Sequence, residues 1–346
     1  MPASTAADRP AVACSGTVDI LAPDIARGGW GPIQAMVHLA VRYFDARLLS
    51  PADHPVTRRT KLRLLRPRPR SGGSGGRALL VIAPLPGSLD SVLNLPAQQL
   101  AEYSSISAWV IDSFWHERIP RIARAKGWLD RLYVMDADDA EPWRAATKLP
   151  VSVLPWGTDT QRAGLGSGPV TVDLLRVGRQ SEPWDDDATT ALMAREAAVC
   201  FHGRPGFGAD EAQSQHLLHQ ALDRSRAVLA FTNLRSPANY THPTRDYLTG
   251  RWTDALAHGC VMVGEVPGSS SARELVPKWA QLTVPADDPR TGLEMVAQAR
   301  LGWDEALRER IRAHAREKLD WRLRFARIAE DLMMMDDHGS NGRLHG

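Results

Sequence analysis

Between Asp246 and Gly264 the chain reads DYLTGRWTDALAHGCVMVG, and its side chains are of the types that hold a charged ligand. Asp246 opens the stretch, Thr249 and Gly250 make a turn, and Arg251 and Asp254 follow on a helix whose apolar face carries Trp252, Ala255 and Leu256. The helix breaks at Gly259 into the run Val261 to Val263, which reads as a strand. A turn feeding a helix N-terminus gathers unpaired backbone N–H groups and the positive end of the helix dipole at one point. That chemistry binds anions, and a phosphate is the first ligand it suggests.

Such a turn needs a scaffold, and the apolar runs supply one. Val18 to Ala22 reads as a buried strand, followed by a glycine turn containing Arg27, Gly28, Gly29 and Trp30, then by a helical pattern from Ile33 to about Leu49. Further strands are expected at 78–83, 107–111, 131–135 and 151–154, each separated by a segment of helix length. A second series follows at 173–177, 198–201, 227–231, 261–264 and 281–284, with a well-patterned helix over 210–224. Alternation of this kind predicts an α/β chain of two tandem Rossmann-like, doubly wound domains, each a parallel sheet covered by helices. The expected division is 14–157, 170–302 and a closing helical segment 303–335, with 1–13 and 336–346 disordered. Ligands of open α/β sheets bind at the carboxyl ends of the strands. The polar residues expected there are Asp112 and His116 in the first domain, and Gly178, Arg179, Gln180, Asn233, Arg235, Asn239 and Tyr240 in the second.

Composition narrows the function classes. At 346 residues, 43% apolar and 24% charged, the chain suits a globular protein with two sizeable cores, and a formal charge of +2 gives no global argument for nucleic acid. Three scattered cysteines fit neither a disulfide framework nor a zinc site and suit a reducing, cytoplasmic setting. No window reaches the run of about 18 apolar residues that a membrane span requires, and the first residues lack a secretory pattern. One local feature needs its own account: RRTKLRLLRPRPR, residues 58–70, is dense in arginine. It reads either as a solvated loop or as a patch for anionic lipid head groups that gives peripheral contact with the inner membrane face. Its basic residues show no clean amphipathic period.

The order of short motifs from residue 150 to 290 resembles the donor-binding half of the GT-B glycosyltransferases, in particular their retaining "group 1" branch. LPWGTDT (Leu154 to Thr160), LRVGRQ ending at Gln180, the Asp246 to Asp254 pair with TGR between them, ALAHGCVMVGE, and RELV to VPADDP (Arg273 to Pro289) carry the likeness. The end EKLDWRLRFARIAEDL is similar to the helices that pack back on the first domain in that family. The resemblance implies two domains facing across a cleft, a nucleotide-diphosphate sugar as donor substrate, no metal or other cofactor, and transfer to an acceptor hydroxyl with retention. The acceptor would be a sugar, a lipid-linked sugar or a natural-product hydroxyl.

It also implies roles. Asp254 would accept hydrogen bonds from the ribose and Asp246 would contact the donor sugar. Thr249 and Gly250 would offer N–H groups to the diphosphate, Arg179 beside Gly178 would neutralise the leaving group, and Arg251 would share that task. Gly28 and Gly29 would let the first domain approach the same phosphates, and His116 would lie near the sugar. Each has a plainer reading: Asp254 as a helix cap, Arg179 as a surface ion-pair residue, His116 as a packed histidine between aromatic neighbours. The sequence departs from the family in having aspartate for glutamate at both acid positions. An acidic run, Ser181 to Asp187, also stands where a lysine is usual, which leaves Arg179 alone unless Arg204 or Arg235 joins it. Two other readings stay open: a non-catalytic GT-B-like protein that binds a nucleotide sugar or partner, and an enzyme coupling an activated cyclitol to an amine.

Overall fold

The apolar runs form strands because they are bounded by glycine, proline or acidic turns and are too short for helices. In a computed structural model of the chain, the described residues are 17–23, 30–50, 56–69, 76–164 and 168–341, with side chains described to Met333. The chain divides into two compact units, residues 1–155 with 322–346, and residues 156–321. Gly28 and Gly29 lie outside the described residues, as do Arg27, Cys14 and Arg70.

The first unit holds six parallel strands: β1 (Val18–Leu21), β2 (Arg47–Leu49), β3 (Arg77–Ala83), β4 (Tyr103–Val110), β5 (Arg131–Val134) and β6 (Val151–Val153). Their order is β2-β1-β3-β4-β5-β6. β3 and β4 are buried on both faces along nearly their whole length, the pattern of a sheet covered on both sides. Strand β2 was not expected. The first helix, Gly31–Phe44, stops earlier than its apolar pattern suggests because Asp45 takes a left-handed conformation (φ 49°), and the Asp45 and Ala46 N–H groups turn back onto Arg42 and Val41. Aspartate is one of the few residues that adopts this cap without glycine.

The second unit holds five: β7 (Val172–Arg176), β8 (Phe201–His202), β9 (Ser225–Ala230), β10 (Val261–Gly264) and β11 (Gln281–Thr283), in the order β11-β10-β9-β7-β8, again all parallel. β8 starts later than expected because Ala198 has a positive φ of 55° and closes the preceding helix with the Val199 N–H donating to Ala194. The helix Glu211–Asp223 begins where an aspartate predicts, the Asp210 carboxylate accepting the Gln213 N–H at 2.8 Å.

The closing segment is shared between the units. The helix Glu305–Lys318 packs on the helix Gly250–Ala257 in the second unit, where expectation put it on the first. Only the helix Trp321–Asn341 returns to the first unit. Its Phe325 ring lies 5.4 Å from Tyr43 and 5.9 Å from Phe44, and its Asp331 lies 3.4 Å from Arg131. This helix runs into the 336–346 stretch expected to be disordered. Among the described residues no helix is long and apolar enough to cross a membrane.

Each sheet carries one buried aspartate at the same place, the second residue of its first strand. Asp19 in β1 is bonded by Arg77 (2.5 Å), Arg47 (2.6 Å) and the Tyr103 hydroxyl (2.8 Å). Asp173 in β7 is paired with Arg226, with Arg300 at 3.0 Å, and accepts the Cys200 N–H at 2.9 Å. Burial alone would raise both carboxyl pKa values, but the hydrogen bonds and guanidinium charges outweigh it and hold both below the ordinary value. A carboxyl depressed in the folded state adds stability that is full above its unfolded pKa and disappears as pH falls through the folded one. Asp173→Asn should therefore cost about 3 kcal/mol in urea unfolding at neutral pH, the low end for a broken buried pair because its arginines keep some water. The wild type and variant should converge as the pH falls through the lowered pKa of Asp173, beneath the ordinary carboxylate range.

Candidate functional site

In the second unit the strand order reverses at β7, which has β8 on one side and β9, β10 and β11 on the other. The loops leaving the carboxyl ends of β7 and β9 therefore diverge and leave a crevice between them. One glycine and several arginines shape it. Gly178, just after β7, has φ +73°, and a Cβ added there would lie 3.3–3.5 Å from the Arg251 guanidinium. The left-handed turn is what calls for glycine here, and a Cβ would press the guanidinium by no more than a few tenths of an ångström. Arg251 comes from the first turn of the helix Gly250–Ala257 and reaches back to donate from Nη1 to the carbonyls of Arg179 (3.1 Å) and Phe231 (3.4 Å). Arg204, in the loop after β8, donates from Nη2 to the Gly178 carbonyl at 3.3 Å. The Arg179 guanidinium lies 4.7 Å over the ring of Tyr240, and its buried Nη1 has no hydrogen-bond partner among the described residues.

Four guanidiniums thus gather near one glycine, since Arg176 also donates from Nε to the Gly178 carbonyl at 3.3 Å; among the described residues Arg176 is paired with carboxylates and Arg179, Arg204 and Arg251 are not. Burial, followed by the like charges of Arg179 and Arg204, pulls the Arg251 pKa down to about 10. The acidic run lies against this cluster through Arg176 and through Asp187, whose other oxygen accepts the Arg204 backbone N–H at 3.0 Å, but it pairs with none of the three guanidiniums. Arg176 takes Asp185 (2.5 Å) and Asp187 (2.6 Å), Asp185 also accepts the Gln180 N–H (3.0 Å), and Asp186 caps the next helix. The Gln180 amide then bolts the turn down by donating to Val177 (2.9 Å) and Leu229 (3.0 Å) carbonyls. Arg235, a candidate for the same cluster, is held instead by Glu265 at 2.6 Å.

The remaining residues of the second unit surround this crevice unevenly. Thr249 is the N-cap of the helix that carries Arg251, with no side-chain cap bond, so Gly250 and Arg251 supply first-turn N–H groups that the helix itself leaves without acceptors. Asp246 sits in the loop before it and accepts the Gly268 N–H at 2.8 Å, which ties the β9 and β10 loops together. Asp254 lies one turn further along, buried and hydrogen-bonded by Thr158; burial pushes its pKa up to about 7. It is not a cap, being in the middle of its helix.

In the first unit, His116 follows β4 and is part of a chain of bonds that the sequence does not announce. Its Nε2 lies 2.6 Å from Asp139, whose other oxygen accepts the Ser113 hydroxyl at 2.5 Å, and Ser113 in turn accepts the Met135 N–H at 3.0 Å. Asp139 is one of three acids at the start of the helix Ala137–Thr147, and no spacing distinguishes it from Asp138. Beside it, burial and the charge of Asp139 push the Asp112 carboxyl up to about 7. So the structure brings Gly178, Arg179 and Arg251 together, adds Arg204 and Tyr240, and sets Thr249 and Gly250 at the same helix end, whereas Asp254 is engaged by Thr158 and Asp246 by Gly268.

Gly178→Ala should lower stability by about 1–2 kcal/mol from the left-handed backbone alone, and displace Arg251 as well. Asp254 supplies a pH test of opposite sign to Asp173. Its folded pKa is raised, so its contribution to stability is greatest below the unfolded value near 4 and is lost as pH rises through 7. Asp254→Asn should gain on the wild type between pH 5 and 8, by roughly 2–4 kcal/mol in unfolding free energy.

Neither a protein-family model nor a curated protein matches the sequence. Solved structures do match. AviGT4, a glycosyltransferase involved in avilamycin A biosynthesis, aligns over 92% of this chain and 98% of its own with a TM-score of 0.51 at 13% identity. An E. coli trehalose-6-phosphate protein with UDP-2-fluoro glucose bound aligns over 91% and 98% with a TM-score of 0.53 at 11% identity. At these identities the likeness is one of fold, and the chain has the GT-B fold of glycosyltransferases, two Rossmann-like α/β domains in series.

Proposed function

We propose that this protein is a glycosyltransferase that takes a sugar from a nucleoside diphosphate donor and passes it to an acceptor hydroxyl, with retention at the anomeric carbon and without a metal ion. The observation that carries this reading is the arginine cluster at Gly178: Arg179, Arg204 and Arg251, whose guanidiniums have no carboxylate partner among the described residues, at the strand-order reversal of a doubly wound sheet. As the sugar–phosphate bond breaks, negative charge builds on the departing diphosphate. Guanidiniums fixed beforehand at that point stabilise the transition state more than the ground state. They supply the neutralisation for which a divalent cation would otherwise be needed.

The other residues take parts consistent with their positions. Thr249 and Gly250 present N–H groups to the diphosphate, and Asp246, held by Gly268, accepts from hydroxyls of the donor sugar. Asp254 accepts from the ribose, which requires that the loop at Thr158 share the carboxyl with the ligand. Retention follows if the acceptor attacks on the face the diphosphate leaves and a phosphate oxygen takes its proton, so no carboxylate nucleophile is assigned. Free thiols at Cys200 and Cys260 fit a cytoplasmic protein.

The test needs no acceptor. UDP, GDP, ADP and TDP should be titrated against the folded protein, UDP first because one structural neighbour holds a uridine sugar. At a hundred times Kd, a nucleotide bound only to the folded state adds about 2.7 kcal/mol of stability and raises the melting temperature accordingly. Arg179→Ala should abolish that shift while leaving the unliganded melting temperature in place, and should lower turnover about 100- to 1,000-fold once an acceptor is found. A chain whose melting temperature responds to none of the four nucleotides does not have this function.

A further inference from the structure

The arginine-rich segment after β2 does not behave as a uniform basic loop. Thr57 caps a single helical turn, Arg58–Lys61, its hydroxyl accepting the Thr60 N–H at 3.1 Å, and a 3-10 turn, Leu62–Leu65, follows directly. Two of the arginines are spent on the fold. Arg63 donates to the Leu93 and Leu95 carbonyls at 2.6 and 2.9 Å, and the buried Arg68 donates to the Tyr103 carbonyl at 2.7 Å and pairs with Asp130 at 3.2 Å. Leu64 packs on the core, and the Trp128 indole N–H holds the Arg66 carbonyl at 2.9 Å. The segment is thus fastened along its length.

What this fastening leaves outside is specific. Leu62 is 60% exposed and Leu65 81%, and Arg58, Arg59 and Arg66 are exposed beside them with no carboxylate partner among the described residues. A pinned backbone that holds two large aliphatic side chains in water, ringed by unneutralised cations, is not explained by the stability of the fold. We propose that this surface docks the first domain on a membrane rich in anionic lipid. Leu62 and Leu65 enter the boundary between head groups and acyl chains, and the three guanidiniums bind lipid phosphates. Nucleic acid would match the charge but offers no apolar interior to two leucines. A two-fold contact with a second copy would set the same arginines against each other. The inference does not depend on nucleotide binding, which resides in the other unit.

Sedimentation of the intact protein with vesicles tests it. The protein should pellet with equimolar phosphatidylglycerol and phosphatidylcholine, remain in the supernatant with phosphatidylcholine alone, and be released by salt. Arg58→Gln, Arg59→Gln and Arg66→Gln together should weaken binding roughly a hundredfold. Leu62→Ser with Leu65→Ser should weaken it with no change in charge, which separates insertion from simple attraction. All five positions are exposed, so melting temperature and any nucleotide-induced shift should be those of the wild type. Wild-type protein that ignores anionic vesicles, a serine pair that binds as well as wild type, or self-association lost in the serine pair would each overturn the proposal.

Discussion

Positive charge held together without a counter-charge is the constraint on which the second domain's architecture turns. Guanidiniums a few ångströms apart repel by several kcal/mol in a partly buried setting, so a fold tolerates them only where the backbone gives them no choice. Here the choice is removed by Gly178, whose left-handed turn opens the space that Arg251 fills, and by Gln180, which bonds the same turn to β9. The nearby Asp185 and Asp187 pair with Arg176, which donates to the same Gly178 carbonyl, and not with the other three guanidiniums. Under the proposed function, the diphosphate of a nucleotide would be the partner that relieves this repulsion.

The two domains solve a second problem in the same way. Both place an aspartate at the second position of the first strand, and both surround it with arginines from elsewhere in the sheet region, so that a buried carboxylate ties together segments far apart in sequence. Such a knot is specific rather than strong, since its hydrogen bonds mostly offset the cost of taking charge out of water. It sets which strands lie beside β1 and β7, and through them where the carboxyl-end loops emerge.

Most of the sheet was legible in the sequence, because a strand buried on both faces must be a short apolar run and little else competes with that pattern. Where reading and structure differ, a local backbone choice decided. Asp45 ended a helix that the apolar spacing alone would have continued, and Ala198 delayed a strand by turning left-handed. The anion crevice was half legible. Arg179 and Arg251 stand beside glycines after strand or turn signals, which is visible in a string of letters. Arg204 and Tyr240 arrive from loops without periodicity, and the diversion of Asp185 and Asp187 to Arg176 depends on side-chain directions that spacing does not encode. Asp139 was the least legible, being one of three adjacent acids of which only one faces His116.

The helix Trp321–Asn341 gives the chain an order of events during synthesis. Tyr43 and Phe44 pack against Phe325, and Arg131 sits by Asp331, so the first unit is completed by a segment that follows the whole of the second unit in the chain. The second unit is contiguous and has everything it needs beforehand. The nascent first sheet therefore keeps part of its apolar surface uncovered until the residues beyond 321 are made.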